Sequence, residues 1–202
     1  MNFKAFVGIA TIGVALVCVP ASAQTRLKDD GTVTVVEYYN AAMDHYFMTS
    51  LGNEIALCDA GTPPCAGWVR TGASFRTWAP GTAGRPGGNT SDVKVCRLYN
   101  DQFAGKSTHF YAAQGGDCEA TLADFPGWIL ETSELFDADV IAFPLSCAKF
   151  YKPLYRLYNN GMGGAPNHRF TVDYTIVQEM VAKGWAPEGP GLGVGMCLPG
   201  LP

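Results

Sequence analysis

The chain has 202 residues, of which 16% are charged and 12% are aromatic, and its formal net charge at pH 7 is −4. This composition argues against a disordered chain, and lysines and arginines that are scattered rather than grouped disfavour a nucleic-acid partner. The length suits a single domain once the amino-terminal segment is set aside.

The amino terminus has the pattern of an export signal. Lys4 is the only charge before the apolar run 5–19, and the small residues 21–23 match a cleavage site. The apolar run is too short for a retained membrane span. We therefore expect a cleaved signal peptide over 1–23, a mature single domain over 24–202 that does not span the membrane, and a periplasmic or extracellular location.

Cleavage would remove Cys18 and leave six cysteines. An even number in an exported chain without a Cys-x-x-Cys spacing favours three disulfides over a zinc or redox site. Several pairings are possible. We prefer the one that keeps each pair within one part of the chain: Cys58–Cys65, Cys96–Cys118 and Cys147–Cys197.

A short pattern occurs three times in the same order, and it includes every histidine of the chain. Each copy has a Tyr-Asn pair, then a histidine beside aromatic residues, then a Gly-Trp pair. The residues concerned are Asn40, His45 and Trp68, then Asn100, His109 and Trp128, then Asn159, His168 and Trp185. A period of roughly 60 residues predicts three similar units, at about 34–78, 93–136 and 154–197.

Each unit is predicted to contain a β-hairpin, a short helix and a third strand that follows the Gly-Trp pair. The helix is clearest in the third unit, where Asp173 is a suitable N-cap and Gly184 ends the apolar periodicity. The expected hairpin strands are 34–39 and 45–49, 93–99 and 109–112, and 154–158 and 168–172.

Units of this size cannot bury their apolar faces alone, so we expect them to share one core. The predicted fold is mostly β with short helices, closed into a trefoil-like assembly with threefold pseudo-symmetry. A small propeller is the alternative. Closure would also cover the strand edges.

The repeated residues resemble a bacterial family of unknown function whose secreted repeats read Tyr-Arg-x-Tyr-Asn, His-Phe-Tyr-Thr and Gly-Trp-x-x-Glu-Gly. The third unit matches through 155–159, 168–171 and 184–189, and the first departs from the pattern at Thr71-Gly72. Members of that family are often appended to cell-wall hydrolases or exported proteases. The resemblance therefore implies a targeting or adhesion role and brings no catalytic residue.

The repeated histidines and tryptophans each have two interpretations. Three histidines facing a common axis could bind zinc, but we prefer a hydrogen bond within each unit, and we predict no metal and no cofactor. The tryptophans are expected to cover the core, although they could also stack on sugar rings. The asparagines suit turns, or could bind sugar hydroxyls together with Glu131 and Glu188. The candidate ligand-binding residues are therefore Asn40, His45, Trp68, Asn100, His109, Trp128, Glu131, Asn159, His168, Trp185 and Glu188.

The motifs of common hydrolases are missing from the sequence: it has no Gly-x-Ser-x-Gly, no His-Glu-x-x-His and no P-loop. We predict a non-catalytic exported binding module that recognises cell-envelope or extracellular glycan through three shallow sites, whose repetition would give avidity. A cell-wall hydrolase and a structural or protein-interaction surface domain are the alternatives.

Overall fold

A computed structural model describes residues 30–81, 93–141, 147–199 and 201, so the expected signal peptide lies outside the described residues. The order strand, strand, helix, strand occurs three times. The elements are β1 (Thr32–Asn40), β2 (His45–Thr49), α1 (Gly52–Asp59), β3 (Trp68–Trp78), β4 (Val93–Phe103), β5 (Lys106–Ala113), α2 (Asp117–Asp124), β6 (Ile129–Ala138), β7 (Lys152–Tyr158), β8 (His168–Thr171), α3 (Tyr174–Ala182), β9 (Ala186–Pro187) and β10 (Val194–Leu198). We call the parts that begin at β1, β4 and β7 segments one, two and three.

The strands form two antiparallel sheets. The larger has six strands in the order β2-β1-β3-β6-β4-β5, and the smaller has the order β10-β7-β8, with β9 also paired to β7. The prediction of a mostly β fold with short helices is confirmed, but neither sheet is closed. The reason lies in the pairing of the described strands: β3 and β6 pair only through Trp78 and Asp137, and β2, β5 and β8 are edge strands.

The second strands of the three hairpins meet through side chains instead of backbone hydrogen bonds. The Tyr111 hydroxyl of β5 accepts from Met48 N and donates to Met48 O of β2, each over 2.7 Å. The Tyr111 ring also packs edge-on against Phe170 of β8, with 5.3 Å between centroids. A side-chain contact thus joins the two sheets where backbone pairing does not.

One apolar core is shared by both sheets, as the sequence predicts. It contains fully buried residues from the first strands of all three segments, including Val33, Leu98 and Leu154, together with Phe136 of β6 and Met196 of β10. Segment two contributes eleven of the nineteen described residues that are buried in this core, and segments one and three contribute four each. All three segments therefore meet in it, and segments one and three each have a smaller buried cluster of their own.

The three predicted disulfides are present: Cys58–Cys65, Cys96–Cys118 and Cys147–Cys197. The first joins α1 to the loop before β3, and the second joins β4 to α2. The third ties the chain before β7 to β10. Three disulfides point to an oxidising extracellular or periplasmic environment. Within the described residues, no helix has the length and apolarity needed to cross a membrane.

We expect Tyr111→Phe to lower the free energy of unfolding by about 1–3 kcal/mol, because the buried N–H and C=O of Met48 both lose their partner. Urea unfolding would measure the change. Tyr174→Phe, at an exposed residue of α3, is the control and should shift stability by less than about 0.5 kcal/mol. Equal effects of the two substitutions would contradict this role for Tyr111.

Candidate functional site

The three histidines do not occupy equivalent positions in their hairpins. His109 pairs with Tyr99 and His168 pairs with Tyr158, but His45 pairs with Asn40, one position nearer the turn. The residue of segment one that matches His109 and His168 is therefore Tyr46, which pairs with Tyr39. Since neighbouring residues of a strand face opposite sides, the expectation of three equivalent histidines is wrong.

His109 and His168 each belong to a cluster of one histidine, one glutamate and one arginine. In segment two, Glu131 Oε2 lies 3.3 Å from His109 Nε2 and 2.8 Å from Arg97 Nε. In segment three, Glu188 Oε2 lies 3.1 Å from His168 Nε2 and 3.2 Å from Arg156 Nε. These two histidines are bound within their own segments, but the partner is a glutamate and not the preceding asparagine. His45 instead bonds to the backbone of Ser107 in segment two, so the predicted bond within the unit does not hold for it.

Both histidines are neutral in these clusters. Burial lowers the pKa of His109 and of His168, although hydrogen bonds to the glutamates act in the opposite direction. Burial raises the pKa of Glu188, but the hydrogen bond from His168 and the charge of Arg156 outweigh it, so the pKa lies below its usual value. A neutral imidazole therefore donates its Nε2 proton to an ionised carboxylate, and the buried Nδ1 of each histidine has no partner among the described residues.

The asparagines stabilise turns, as preferred from the sequence. Asn40 Oδ1 accepts from the backbone N–H groups of Ala42 and Met43, and Asn100 Oδ1 accepts from that of Gln102. Asn159 bonds to the backbone of its own loop in the same way. A side chain at Gly127 would lie 2.7 Å from Asn100 Nδ2, which explains why glycine precedes the tryptophan there.

Two of the three tryptophans are buried parts of the scaffold. Trp68 packs against Phe47 and against His109 of segment two, with centroid distances of 5.5 and 6.4 Å. Trp185 packs edge-on against Tyr46 of segment one at 5.9 Å. Each ring closes the boundary between its own segment and a neighbour. Core packing, the preferred interpretation, describes these two residues.

Trp128 differs, because it is only half-buried and lines a cavity of about 570 Å³ between segments two and three. Its ring packs on Phe110 at 6.0 Å, and no contact between Trp128 and His168 is present in the described structure. We call this cavity the boundary pocket. Its aromatic walls are Phe103, Phe110, Phe125, Trp128 and Tyr158, and its polar groups include Asn100, Gln102, Arg156, His168 and Glu188.

The boundary pocket brings together four of the predicted site residues: Asn100, Trp128, His168 and Glu188. The other seven line no part of it. The sequence analysis did not predict Arg156 or the phenylalanines as site residues. Arg156 belongs to the repeated Tyr-Arg-x-Tyr-Asn motif, so the repeat could have identified it. Within the described residues, no group of three or more His, Cys, Asp or Glu side chains is arranged to hold a metal ion.

Fold and site together define a disulfide-bonded antiparallel β protein with a ligand-sized cavity between segments two and three. The chain belongs to the family described as Domain of unknown function (DUF5648), whose model matches residues 34–194. This match confirms the predicted membership of a family of unknown function. Neither the curated proteins nor the solved structures contain a significant match to the chain.

The buried histidines should make stability depend on pH. Because the folded pKa of His109 lies below the ordinary value of 6.5, the unfolded chain binds more protons between the two values. Stability is therefore full above about pH 6.5 and falls as the pH drops toward the folded pKa, by at most about 1.4 kcal/mol per pH unit for each histidine.

The measurement is the free energy of unfolding in urea at several pH values from about 7.5 to 5. His109→Gln should reduce the slope against pH, whatever its effect on absolute stability. Tyr46→Phe, at the matching position of segment one, should leave the slope unchanged, because the pKa of Tyr46 is raised by burial away from this range. An unchanged slope in His109→Gln would refute the assignment.

Proposed function

We propose that the protein is a non-catalytic exported binding module that holds cell-envelope or extracellular glycan in the boundary pocket. The observation that carries the proposal is the half-buried Trp128, which forms a wall of a cavity of about 570 Å³ that also contains Arg156 and Glu188. Cavities of this size, with aromatic walls and a few polar groups, are typical of small-molecule sites.

The polar groups of the boundary pocket complement a sugar. An indole ring offers a flat apolar face to the C–H groups of a pyranose, and hydroxyl groups need both acceptors and donors beside it. The ionised Glu188 accepts hydrogen bonds, whereas Arg156 and the amide of Gln102 donate them. A ring stacked on Trp128 would therefore find both kinds of partner in the same cavity.

We propose one glycan-binding site, whereas the sequence predicts three similar ones. Trp68 and Trp185 close the other two boundaries by packing on His109 and Tyr46, so their rings have no free face for a sugar. A second cavity, of about 310 Å³, lies between segments one and three, but its described lining contains no tryptophan, and the proposal places the sugar in the boundary pocket. Avidity from repeated sites within one chain has no part in it.

We also propose that the three segments are related by an approximate threefold axis in a trefoil-like arrangement. Contacts between matching positions support this relation, since each segment contacts the one before it in cyclic order. The Arg97 guanidinium lies 5.1 Å from the Phe47 ring, that of Arg156 lies 5.2 Å from the Phe110 ring, and Glu37 binds Arg169 at the third boundary.

A hydrolase that uses paired carboxylates is less well supported. Such an enzyme needs a second acid placed opposite the first, with a raised pKa. Among the described residues that line the boundary pocket, Glu188 is the only carboxylate, and its pKa is lowered. The pocket is thus suited to binding more than to acid–base chemistry.

Trp128→Ala should weaken glycan binding by about tenfold, because it removes the stacking surface. We would measure affinities for soluble peptidoglycan fragments and for neutral β-linked oligosaccharides by calorimetry. Phe150→Ala removes an aromatic ring that is 78% exposed and lies outside the pocket, so it should leave the affinities unchanged. Failure of the wild-type protein to retain any of these glycans would rule the proposal out.

A matched pair of substitutions separates binding from structure. Glu188→Gln and Glu131→Gln make the same change in the two histidine–glutamate–arginine clusters, and only the first cluster lines the boundary pocket. Glu188→Gln should reduce the affinity for neutral oligosaccharides several-fold, because a carboxylate acceptor is lost, whereas Glu131→Gln should lower the melting temperature with no change in affinity. Equal losses of affinity would show that the pocket is not the binding site.

A further inference from the structure

The buried guanidinium of Arg97 has two carboxylate partners. Its Nη1 and Nη2 donate to the two oxygens of Glu54 over 2.7 Å each, and its Nε donates to Glu131 over 2.8 Å. The side chain is only 5% exposed. Glu54 belongs to α1, so this bidentate pair joins segment two to segment one. It lies at a boundary that Trp68 closes.

The boundary between segments three and one also contains a bidentate pair, but here the first strand supplies the carboxylate and the neighbouring segment supplies the arginine. Glu37 takes the place that Arg97 has in β4, and Arg169 of β8 donates to both of its oxygens, over 2.9 and 2.8 Å. Both side chains are less than one-tenth exposed. Each closed boundary therefore has an arginine whose planar fork is matched by a carboxylate.

Arg156, at the third boundary, lacks such a match. Its Nη1 donates to Asp117 over 3.2 Å, and that carboxylate is 63% exposed. Its Nε is buried without a hydrogen bond among the described residues, because Glu188, 3.2 Å away, is misaligned. No hydrogen bond of Nη2 is present in the described part of the chain. Arg156 is thus a largely buried guanidinium with one long hydrogen bond, in a wall of the boundary pocket.

Two differences accompany the contrast. Glu54 is the third residue of α1 whereas Asp117 is the first residue of α2, and the side chain of Asp117 is one methylene group shorter. Asp117 follows Ala112 at the same distance along the chain as Glu54 follows Thr49, and Ala112 and Thr49 have the same register in their hairpins. Glu54 is long enough to reach both Nη atoms, and the Thr49 hydroxyl orients it over 2.6 Å. Asp117 is shorter, and Ala112 has no hydroxyl to orient it.

From this comparison we infer that the ligand of the boundary pocket carries a carboxylate, which binds Nη1 and Nη2 of Arg156 as Glu54 binds Arg97. The ligand class is then an acidic glycan: a uronic acid, or an amino sugar with a carboxylate substituent. The inference rests on the proposed function and adds the chemical class of the ligand. A buried guanidinium is costly without acceptors, and an ionised acceptor gives the strongest hydrogen bonds.

Repulsion from Glu188 does not prevent this arrangement, because the same arrangement exists around Arg97. There Glu54 and Glu131 share one guanidinium, with Glu54 on the Nη atoms and Glu131 on Nε. Glu188 occupies the place of Glu131 beside Arg156. Asp117, which is largely exposed, can turn to solvent when a ligand carboxylate replaces it.

The position of Arg156 also suits a ligand that fills the boundary pocket. Arg156 is a wall both of that pocket and of an adjacent cavity of about 220 Å³, which Asp117, Gly116 and Tyr111 also line. The Phe110 ring supports the guanidinium from one side. A sugar ring beside Trp128 therefore lies next to the group that would bind its carboxylate.

Asp117→Glu gives a direct test, because it supplies the missing methylene without disturbing the core. The side chain should then bind Arg156 as Glu54 binds Arg97, raise the melting temperature and compete with the ligand carboxylate. We would titrate wild type and variant with two matched probe pairs: a glucuronic-acid oligosaccharide and its glucose counterpart, and N-acetylmuramic acid and N-acetylglucosamine.

Wild type should bind the acidic member of at least one pair about tenfold more tightly than the neutral member. Asp117→Glu should remove this preference and leave the affinity for the neutral probes unchanged. Asp117→Asn should increase the preference for the acidic probe, since the charge that competes with the ligand carboxylate is lost. Equal affinities for the acidic and the neutral member of both pairs would overturn the inference that the ligand carries a carboxylate, but not the proposed glycan binding. No binding of any probe would overturn both.

Discussion

The architecture depends on one requirement: a charge buried in the middle of the first strand of each segment must meet an opposite charge from a neighbouring segment. Glu37, Arg97 and Arg156 occupy this position, and the first two are almost fully buried. Leaving one of a buried pair alone costs about 3–5 kcal/mol, which is a large part of the stability of a small domain. Each segment is therefore incomplete without the counter-ion that another segment supplies.

The boundary pocket lies where the charged residue of the first strand, Arg156, has the weakest counter-ion from its neighbouring segment. At the two closed boundaries, a bidentate pair and a buried tryptophan fill the same region, with Trp68 near Arg97 and Trp185 near Arg169. At the third, the counter-ion is the short and exposed Asp117, and among the described residues Trp128 makes no ring contact with His168. A few side chains thus decide whether the repeated tryptophan is buried at a boundary or lines a cavity there.

Local features of the fold could be predicted from the sequence, whereas contacts between segments could not. Hairpins, helices and two of the three disulfides involve residues close in the chain, where periodicity and spacing are informative. The Cys147–Cys197 disulfide spans 50 positions, and it was predicted by keeping each pair within one part of the chain. The arginine pairs join residues far apart, as Glu37 and Arg169 do, and no local pattern shows which segments meet. The sequence prediction also placed His45 in the wrong register. Aligning the three units on their histidines hides a shift of one residue in segment one, whereas aligning Thr49 with Thr171 shows it.

The histidine–glutamate–arginine cluster occurs in segments two and three, but only that of segment three lines the boundary pocket. This difference shows how a binding site can arise in one copy of a repeated unit. His109 and Arg97 are buried, while the Glu131 side chain is 30% exposed and lines no part of the boundary pocket. His168 and Glu188 lie at a similar distance because the same register positions them, but Glu188 is misaligned with Arg156 Nε and both residues line the boundary pocket. Side chains held in this way need little reorganisation when a ligand binds, and that lowers the entropic cost of association. A site whose polar groups are already held in place thus arises where such a cluster borders a cavity, without new polar residues.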